Sequence, residues 1–576
     1  MALRHSILFP ALGLVALACT GALAQDAPMY SDRDRVHPVW AASGMVASQE
    51  AVATAIGVDV LKAGGNAVDA AVAVGFALAV TLPQAGNLGG GGFMIVHEAA
   101  TGENVAIDYR EKAPSGATRD MFLNAAGDAD PEKSRWSGLA TGVPGTVAGL
   151  ALALERYGTL SLADALAPAI RLAEEGFLVT PALSDSLKAN AEELKAWPSS
   201  TAIFFKADGA AYEPGERLLQ PDLAASLRRI AEGGIEAFYK GETARLIADA
   251  VQKAGGLMTV EDMAAYEAVV REPVQGSYRG YEVISMPPPS SGGVHIVQIL
   301  KILEDFPIAW LGHNSTETIH LMAEAMKLAY ADRSEYLGDS DFVDVPVKGL
   351  TSSAYAETLR AKINRNRATP SATIRPGDPG SFESDQTTHF SVVDKDGNAV
   401  ANTYTINFSY GSGLVAEGTG ILLNNEMDDF SAKPGVPNAY GLIGGDANAV
   451  EPGKRPLSSM SPAIVLKDGD VFLVTGSPGG SRIITTVLQV IMNVIDHGMN
   501  VAEASAAPRM HHQWLPDELR IEEGFSPDTL KLLEAMGHML KLQATMGSTQ
   551  SIMRREDGAI FGASDPRRPS ALTAGY

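Results

Sequence analysis

Residues 386–393 read Gln-Thr-Thr-His-Phe-Ser-Val-Val, and the character of the sequence changes where they begin. The preceding segment, 368–386, contains three prolines and few apolar residues, which is typical of a mobile, exposed segment. From Thr388 onwards the residues are typical of a β-strand, and the turn at 394–398 predicts a hairpin with residues 399–406. A polar loop therefore runs directly into a well-formed strand.

The rest of the chain alternates strand pairs with helices. Two further hairpins are predicted at 463–475 and around Asp557-Gly558. A helix that begins at a capping-box-like Asn314 and Glu317 continues with apolar residues at helical spacing up to 330. Further stretches with helical patterns and stop signals are 48–63, 66–80, most of 142–266, and 482–495. Strand pairs interleaved with helices predict an α+β fold in which helices cover packed sheets.

Composition and charge exclude several classes of protein. The chain has 576 residues, of which 46% are hydrophobic and 20% are charged. These values are ordinary for a globular protein and exclude collagen, coiled coils and wholesale disorder. With 45 Lys plus Arg against 68 Asp plus Glu, the net charge is −23 at pH 7. Nucleic acids and anionic membranes attract positive surfaces, so we expect neither as a partner.

The first 24 residues are typical of a secretory signal peptide. Arg4 and His5 precede the apolar run 7–18, and small residues precede a predicted cleavage after Ala24. That run is too short to span a bilayer, so we expect an exported, periplasmic protein. The alternative is a lipoprotein with its lipid on Cys19, although the residues before Cys19 fit that motif poorly. Cys19 is the only cysteine, so the mature chain has no disulfide and no thiol nucleophile.

Several catalytic and ligand-binding motifs do not occur in the sequence. It contains no G-x-S-x-G, no G-x-x-x-x-G-K-[ST] and no H-E-x-x-H. The glycine run 89–92 precedes a strand rather than a helix, which favours a tightly packed turn over a nucleotide-binding loop. His511 and His512 would point to opposite faces of a strand, and no carboxylate stands at ligand spacing. We therefore expect no metal and no cofactor.

The junction itself allows one kind of nucleophilic chemistry. A threonine hydroxyl inside a chain is a weak nucleophile, but cleavage between Gln386 and Thr387 would create an α-amine with a pKa of about 8 beside it. That amine can act as the general base, so one residue would supply both nucleophile and base. Two threonines at the start of a strand also fit simple β propensity. His389, two residues further on, favours a structural role.

Several motifs in a fixed order resemble the γ-glutamyltranspeptidases. They are 108–111, 387–394, 424–430, 456–462, 476–482 and 562–567. The resemblance covers essentially all of the mature chain. It implies an N-terminal nucleophile hydrolase with a four-layer αββα sandwich, and a precursor that cleaves itself into a large subunit (25–386) and a small subunit (387–576). The subunits would stay together and transfer the γ-glutamyl group of glutathione and similar amides to water, amino acids or peptides.

The resemblance implies four catalytic residues. Thr387 would be the nucleophile, and Thr405 on the paired strand would support it and contact the substrate. Gly479 and Gly480 would donate backbone N–H groups to the oxyanion, and Gly480 would also contact the substrate. Read without the family, Thr405 is an ordinary strand residue and the glycines start a helix.

The resemblance also implies a clamp for the charged ends of the glutamyl group. The proposed ligands of its carboxylate are Arg110, Ser458 and Ser459, and those of its ammonium are Asn407, Glu426 and Asp429. Such a clamp would select the glutamyl group and would accept many different amines at the other side of the amide bond. Without the family, Arg110 is a surface ion pair at a strand end, and the acidic run is a solvated turn.

Two features of the small subunit qualify this assignment. Many bacterial members carry Gln where this chain has Glu426, which bears on affinity and on the balance of hydrolysis against transfer. Glu426 and Asp429 together would hold an ammonium more strongly but would also repel each other. The segment 433–440 is similar to the lid loop of some members, with Tyr440 closing over the site, and is otherwise an ordinary surface loop.

Two other functions compete with this interpretation. A related acylase of the same fold would hydrolyse glutaryl-type amides and would have less need for the ammonium ligands Glu426 and Asp429. A periplasmic amino-acid or peptide binding protein would need neither Thr387 after a cleavable loop nor the glycine pair. The second alternative predicts a single, uncleaved polypeptide.

Overall fold

The computed structural model describes residues 35–377, 388–433 and 445–576. The predicted signal peptide (1–24), the predicted cleavage junction between Gln386 and Thr387, and the predicted lid residue Tyr440 lie outside the described residues. The scaffold on both sides of the junction is described.

Strands from both predicted subunits build the sheets. In chain order the strands are β1 (Val39–Ala41), β2 (Met45–Ser48), β3 (Gly91–Glu98), β4 (Glu103–Tyr109), β5 (Phe177–Leu178), β6 (Arg217–Leu218), β7 (Val269–Arg271), β8 (Val274–Tyr278), β9 (Tyr281–Ser285), β10 (Thr388–Val393), β11 (Ala399–Thr405), β12 (Val415–Ala416), β13 (Ile421–Leu422), β14 (Ala463–Lys467), β15 (Asp470–Thr475), β16 (Met510–His511), β17 (Leu519–Ile521), β18 (Leu540–Leu542), β19 (Gln550–Arg554), β20 (Ile560–Ser564) and β21 (Leu572–Gly575).

Two seven-stranded sheets form the centre of the molecule. The first has the order β21-β2-β10-β11-β3-β4-β7, and the second has the order β1-β20-β19-β15-β14-β9-β8. All neighbouring strands in both sheets are antiparallel. Each sheet combines strands from before and after residue 387, so the two predicted subunits share both sheets.

Helices cover the outer faces of these sheets. In chain order the helices are α1 (Ala51–Lys62), α2 (Ala67–Thr81), α3 (Pro131–Arg135), α4 (Thr146–Tyr157), α5 (Leu162–Glu175), α6 (Pro181–Ala189), α7 (Ala191–Lys195), α8 (Pro198–Phe204), α9 (Pro221–Gly233), α10 (Glu236–Tyr239), α11 (Glu242–Lys253), α12 (Val260–Ala264), α13 (Gly292–Leu303), α14 (Ile308–Leu311), α15 (Thr316–Tyr336), α16 (Val347–Leu350), α17 (Ser353–Arg360), α18 (Arg482–Ile495), α19 (Val501–Ala506) and α20 (Pro527–Ala535).

Alternation along the central strands places the layers. Phe390 and Val392 of β10 share a core with α2 and α4, whereas Val393 and Ala401 face the second sheet. On the far side of the second sheet, α13 packs on β8 and β9, and α15 and α18 pack against α13. The order is helices, sheet, sheet, helices. This confirms the predicted α+β class and the four-layer αββα sandwich.

The helix predictions hold, apart from two N-termini. Asn66 and Asp69 form the capping box that starts α2, as predicted from Asn66. The predicted start of the first helix at Ser48 is wrong, because Ser48 ends β2 and Glu50 caps α1 instead. The predicted box of Asn314 and Glu317 is also wrong by one residue, since Ser315 caps α15.

The segment that precedes the junction is only partly as predicted. Residues 368–377 are not a free, exposed segment, because Ser371 and Ile374 are buried. Ser371 donates its hydroxyl to Asp517 over 2.7 Å, and the backbone N–H of Ala368 donates to the carbonyl of Met536 over 2.8 Å. The predicted large subunit is therefore fixed to the predicted small subunit at Ala368 and Ser371.

The glycine run 89–92 is the tightly packed turn that the sequence favours. A Cβ on Gly90 would lie 2.1 Å from the carbonyl oxygen of Thr405, so only glycine permits this approach of the backbones. The turn leads into β3, which pairs with β11 as far as Thr405 and Gly91. Within the described ranges, no helix is long and apolar enough to cross a bilayer.

Candidate active site

The hairpin that follows the predicted cleavage junction ends in a shaped turn. Its register begins with Thr388 opposite Tyr404, which confirms the predicted pairing of β10 and β11. Thr405 is buried, its Oγ1 accepts the backbone N–H of Asn407 over 2.8 Å, and its carbonyl accepts the Asn87 amide over 2.9 Å. The Thr405 hydroxyl thus fixes the turn after β11, beyond the packing role of an ordinary strand residue.

Asn407 links this turn to the acidic run. Its φ of 71° lies in the left-handed region, which asparagine tolerates better than most residues. Its side-chain amide donates to the carbonyl of Asn425 over 2.9 Å, and the backbone N–H of Phe408 donates to the Asn425 side chain over 3.1 Å. The end of the hairpin and the residues before the acidic turn are therefore held as one unit.

Arg110, directly after β4, lies at the centre of the site. Its side chain is only 1% exposed, which excludes the surface ion pair. It donates one amino group to Glu426 and the other to Asp429, which occupy a single 3-10 turn. Its Nε donates to the carbonyl of Pro456 over 3.1 Å, and Nη2 donates to that of Leu457 over 3.2 Å. One guanidinium thus brings together three separate segments.

The site contains more buried negative than positive groups. Glu111, 3.7 Å from Arg110, is a third carboxylate that the sequence analysis did not assign, and it is fully buried. Burial raises the pKa of Glu426 to about 8 and that of Glu111 to about 7, and it raises the pKa of Asp429 as well. A cationic ligand would therefore favour the charged forms of these buried acids.

Four carboxylate oxygens in this site have no hydrogen-bond partner among the described residues. They are both oxygens of Glu111, Oε2 of Glu426 and Oδ1 of Asp429. Unpartnered buried acceptors are rare and costly in folded proteins. An ammonium group offers three donors and no acceptor, so it can supply the hydrogen bonds that these oxygens lack.

The predicted serines lie on the segment that continues from Leu457. The Ser458 hydroxyl accepts the backbone N–H of Met460 over 3.2 Å, and the Ser459 hydroxyl accepts Nη2 of Arg333 over 3.2 Å. Arg333 comes from α15 and is fully buried. Since the carbonyl of Leu457 also binds Arg110, the segment places both serine residues next to the arginine.

Gly479 and Gly480 connect β15 to α18, as predicted. Their φ values of 133° and 57° lie in the region that favours glycine. Their carbonyls accept hydrogen bonds from Arg482 and Ile483, whereas their backbone N–H groups donate to no acceptor in the described part of the chain. Two unused N–H groups before a helix suit the stabilisation of an oxyanion.

A tyrosine joins this glycine turn to the serine segment. The Tyr330 hydroxyl donates to the carbonyl of Ser481, and the Arg333 guanidinium lies 5.8 Å from the centre of the Tyr330 ring. Through Arg333 and Ser459, helix α15 therefore holds both predicted halves of the site. The structure thus joins Arg110 directly to Glu426 and Asp429, whereas Gly479 and Gly480 connect to the serine segment only through Ser481, Tyr330 and Arg333.

Some residues of the candidate site lie outside the sequence prediction. Glu111 adjoins Arg110 in a quoted motif, so adjacency to the clamp was its only signal. Arg333 lies seven residues after Met326 on α15, which is buried on all sides from 318 to 334, and an arginine at a core position is itself unusual. Asn424 holds the acidic turn by donating to the carbonyls of Gly89 and Gly142, each over 2.8 Å.

The histidines near the site are structural. His389 is buried between the hydroxyls of Thr403 (2.8 Å) and Ser391 (3.0 Å), and burial lowers its pKa to about 3. It is therefore neutral, as the structural interpretation predicts. His511 contacts Thr485 over 2.9 Å, and His512 lies 3.3 Å from Asp517.

One other group in the described ranges has the composition of a metal site. His320, Glu324 and His538 have ligand atoms within 4.8 Å of one another. The two imidazoles, however, form a hydrogen bond of 2.8 Å with each other, and Lys327 donates to Glu324 over 2.9 Å. These groups already have protein partners.

Comparison with known proteins gives a consistent family. The sequence model described as Gamma-glutamyltranspeptidase matches residues 53–575. The glutathione hydrolase proenzyme of Escherichia coli (strain K12) is 62% identical over 97% of this chain and 96% of its own length. The acylase ACY 1 proenzyme of Pseudomonas sp. (strain V22) is 40% identical over 93% of this chain and 95% of its own.

The fold comparison agrees with the sequence comparison. The crystal structure of the cephalosporin acylase from Bacillus halodurans superimposes with a TM-score of 0.83 at 32% identity. The match covers 95% of this chain and 98% of that one. Relatives named glutathione hydrolase and relatives named acylase thus resemble the same chain over nearly its whole length.

Proposed function

The chain belongs to the γ-glutamyltranspeptidase family, and we propose that it cleaves the γ-glutamyl amide bond of glutathione and related compounds. The released γ-glutamyl group passes to water, or to an amino acid or peptide, through an ester on Thr387. The observation that carries this proposal is the buried Arg110 between Glu426 and Asp429. It is the chemical complement of a zwitterionic amino-acid head.

Ion-pair exchange explains how such a buried site accepts a charged substrate. The glutamyl α-carboxylate takes Arg110, supported by Ser458 and Ser459, while the α-ammonium takes Glu426 and Asp429. Each internal pair is replaced by a pair with the substrate, so no net charge is buried. The substrate also donates hydrogen bonds to carboxylate oxygens that have no partner among the described residues. Binding therefore adds hydrogen bonds to the site instead of only exchanging one set for another.

The chemistry follows from a free N-terminal threonine. The Thr387 hydroxyl attacks the γ-carbonyl carbon while its α-amine accepts the hydroxyl proton. The N–H groups of Gly479 and Gly480 stabilise the oxyanion, the amide C–N bond breaks, and the leaving amine takes the proton. Water or an acceptor amine then attacks the ester, and Thr387 Oγ recovers a proton as it leaves. Thr405 holds the reacting residue in place.

Self-cleavage supplies the free amine. The precursor splits between Gln386 and Thr387 into the subunits 25–386 and 387–576, which remain associated through the two shared sheets. Tyr440 closes over the bound substrate as part of a lid. The predicted signal peptide, cut after Ala24, supports a periplasmic location. No group in this mechanism requires a metal or a cofactor.

Processing is tested directly by Thr387→Ala. On a denaturing gel the wild-type protein should run as two pieces, and the variant should run as one inactive precursor. A second variant, Thr388→Ala, keeps the preceding residue and should still split. Normal cleavage of the Thr387→Ala chain would contradict the role of Thr387, and an uncleaved wild-type chain would favour the binding-protein alternative.

The substrate class is tested by incubation with glutathione, with and without glycylglycine. We expect free glutamate in the first case and γ-glutamylglycylglycine in the second. A glutaryl anilide, which lacks the α-ammonium, separates the acylase alternative. Faster cleavage of the glutaryl than of the γ-glutamyl anilide would mean that the buried carboxylates do not bind an ammonium.

A further inference from the structure

Asn448 connects two segments of the clamp to each other. It ends the short 3-10 turn Asp446–Asn448 and is only 2% exposed. Its Nδ2 donates to the backbone carbonyl of Asp429 over 2.7 Å, and its Oδ1 accepts the backbone N–H of Leu457 over 3.1 Å. One side-chain amide therefore joins the acidic turn to the segment that carries the predicted serines.

Arg110 makes a second connection between the same two residues. Its Nη2 donates to the Asp429 carboxylate and, over 3.2 Å, to the carbonyl of Leu457. Arg110 thus binds the side chain of Asp429 and the carbonyl of Leu457, whereas Asn448 binds the carbonyl of Asp429 and the N–H of Leu457. Because the two cross-links use different atoms, one can open while the other stays closed.

The backbone around Asn448 holds its side chain in place. The N–H of Ser431 donates to the carbonyl of Asn448 over 2.9 Å, and Ser431 forms an isolated parallel bridge with Ala449. A buried amide that loses its partners pays the full cost of removing it from water. The cross-link through Asn448 is therefore held both by its own backbone and by the cost of breaking it.

The proposed substrate acts differently on the two cross-links. Its α-carboxylate takes Arg110 and its α-ammonium takes Asp429, so the ion pair between these two side chains opens as the substrate binds. The side chain of Asn448 is uncharged, and its two hydrogen bonds are to backbone groups. The charges of the substrate exchange with ion pairs and leave these bonds intact, so the cross-link through Asn448 persists in the bound state.

We infer that Asn448 is a positioning residue that fixes the distance between the carboxylate-binding and ammonium-binding halves of the clamp while substrate is bound. This inference rests on the proposed function, and Asn448 acts through Asp429 and Leu457. In an α-amino acid the carboxylate and the ammonium are attached to one carbon atom, so their separation is fixed. A clamp that binds both charges needs its halves at a matching distance, whereas a ligand with the carboxylate alone does not.

Asn448→Ala removes the cross-link and keeps every proposed ligand of the substrate. The measurement is kcat/KM for γ-glutamyl-p-nitroanilide, which carries both charges, and for glutaryl-p-nitroanilide, which carries the carboxylate alone. We expect a loss of roughly tenfold for the first, as for two buried hydrogen bonds, and a change within about twofold for the second. An equal loss on both would overturn the inference and leave the proposed function intact. A wild-type enzyme that does not cleave the γ-glutamyl anilide would overturn both.

Asn500→Ala is the matched control. Asn500 is a buried asparagine that caps α19 and donates to the carbonyl of Val36 over 3.0 Å. Its loss should leave the ratio of the two kcat/KM values at the wild-type value. Both substrates are measured on one preparation, so the ratio does not depend on the fraction of folded enzyme. A shift of the ratio as large as in Asn448→Ala would show that general loosening of the fold changes selectivity, which would overturn the specific role of Asn448.

Asn448→Asp separates the placement of the clamp from its charge. The carboxylate has the shape of the amide and still accepts the N–H of Leu457, but in its ionised form it cannot donate to the carbonyl of Asp429. We expect the ratio of γ-glutamyl to glutaryl cleavage to fall at least about threefold, as for one lost hydrogen bond. A rise in that ratio would mean that added negative charge matters more than placement. Failure of both Asn448 variants to process themselves, where Asn500→Ala does, would make Asn448 a folding residue; either result overturns the inference.

A double-mutant cycle tests whether Asn448 acts through Asp429. In the Asp429→Asn background the ammonium has already lost its charged partner. Adding Asn448→Ala should then lower kcat/KM for the γ-glutamyl anilide by no more than about twofold further, since the two changes affect one interaction. A full further tenfold loss would mean that the two residues act independently, and the inference would be wrong.

Discussion

Two of the buried arginine centres in the described residues differ in their balance of charge. In the clamp, Arg110 faces the three carboxylates of Glu111, Glu426 and Asp429. In the second centre, near the C-terminus, Arg509 and Arg567 face Asp565 and Glu522. The first has an excess of acids, whereas the second has two of each sign.

The difference extends to individual atoms. In the second centre, Arg509 also donates to the carbonyls of Met546 and Ser505, each over 2.7 Å. No oxygen of Asp565 or Glu522 is an unpartnered buried acceptor within the described residues, whereas four carboxylate oxygens of the clamp are. A centre in which every atom is satisfied holds segments together, and one with unmet acceptors is suited to binding a cation.

The ionisation of the acids follows the same division. Burial acts on Asp565 as well, but Arg509 and Arg567 outweigh it and hold the pKa of Asp565 below its usual range. In the clamp, one guanidinium cannot compensate three acids, so burial raises the pKa of Glu426 and Glu111 towards neutrality. Charge imbalance in a buried cluster, more than the presence of ion pairs, distinguishes the proposed binding site from the structural centre.

The largest expected effect comes from Arg509→Met in the balanced centre. Removal of Arg509 leaves two buried acids, Asp565 and Glu522, with the single guanidinium of Arg567, and breaking a buried pair of this kind costs about 3–5 kcal/mol in the free energy of unfolding. Urea unfolding of the precursor carrying Thr387→Ala, so that a single chain unfolds, measures this loss. A change below about 1 kcal/mol would mean that the balanced centre does not stabilise the fold, which would contradict its structural role.

The matched change in the clamp, Arg110→Met, should act on activity. Loss of a buried partner for the substrate carboxylate costs on the order of 2–5 kcal/mol in transition-state binding, a fall of roughly 30- to 5,000-fold in kcat/KM. The measurement is kcat/KM for γ-glutamyl-p-nitroanilide on protein that has processed itself. If Arg110→Met destabilised the fold as much as Arg509→Met and left kcat/KM unchanged, the two centres would have exchanged roles.

The sequence predicts the scaffold more completely than the site. The strand-like residues from 388 with the turn at 394–398, the capping residue Asn66 and the glycine turn at 89–92 are local signals, and the structure confirms each. The errors at Ser48 and Asn314 are shifts of a residue or a few, because several polar residues there can cap a helix and only tertiary packing selects one. Residues 368–377 show the same limit, since their polar composition does not reveal the partner Asp517.

Within the site, residues named by motif are found together, and those without a motif are missed. Arg333 lies on a helix whose apolar spacing places it in the core, but its contact with Ser459 depends on a segment more than a hundred residues away. The sequence also does not predict the pairing of Arg110 with Glu426 and Asp429, because the family resemblance places these groups at opposite ends of a ligand. Long-range contacts of this kind require the folded structure.

Asp429→Asn should change selectivity more than total activity. The amide retains shape but removes the charge that holds the α-ammonium, so γ-glutamyl anilide should lose at least tenfold in kcat/KM relative to glutaryl anilide. Both substrates are measured on the same preparation, so a folding defect would affect them equally. An equal loss on both, in protein that still splits, would contradict the ammonium-binding role of Asp429.

Glu426→Gln should have the smallest effect on catalysis, because an amide oxygen still accepts a hydrogen bond from the ammonium. We expect a rise of a few-fold in the KM for γ-glutamyl-p-nitroanilide. A change above that for Asp429→Asn would reverse the ranking of the two acids within the clamp.

The same variant, Glu426→Gln, gives the sharper test through pH. The folded pKa of Glu426 is about 8, against an ordinary 4.5, so the stability linked to this group is fully present below pH 4.5 and is lost as the pH rises to about 8. Gln cannot titrate, so the variant should gain stability relative to the parent between pH 5 and 8, by at most about 1.4 kcal/mol per pH unit. Asp565 acts in the opposite direction, since its depressed pKa means that its contribution is lost only as the pH falls through that value. Urea unfolding of both precursors across pH 5–8 should therefore give diverging curves, and parallel curves would show that Glu426 is already ionised in a balanced cluster like that of Arg509.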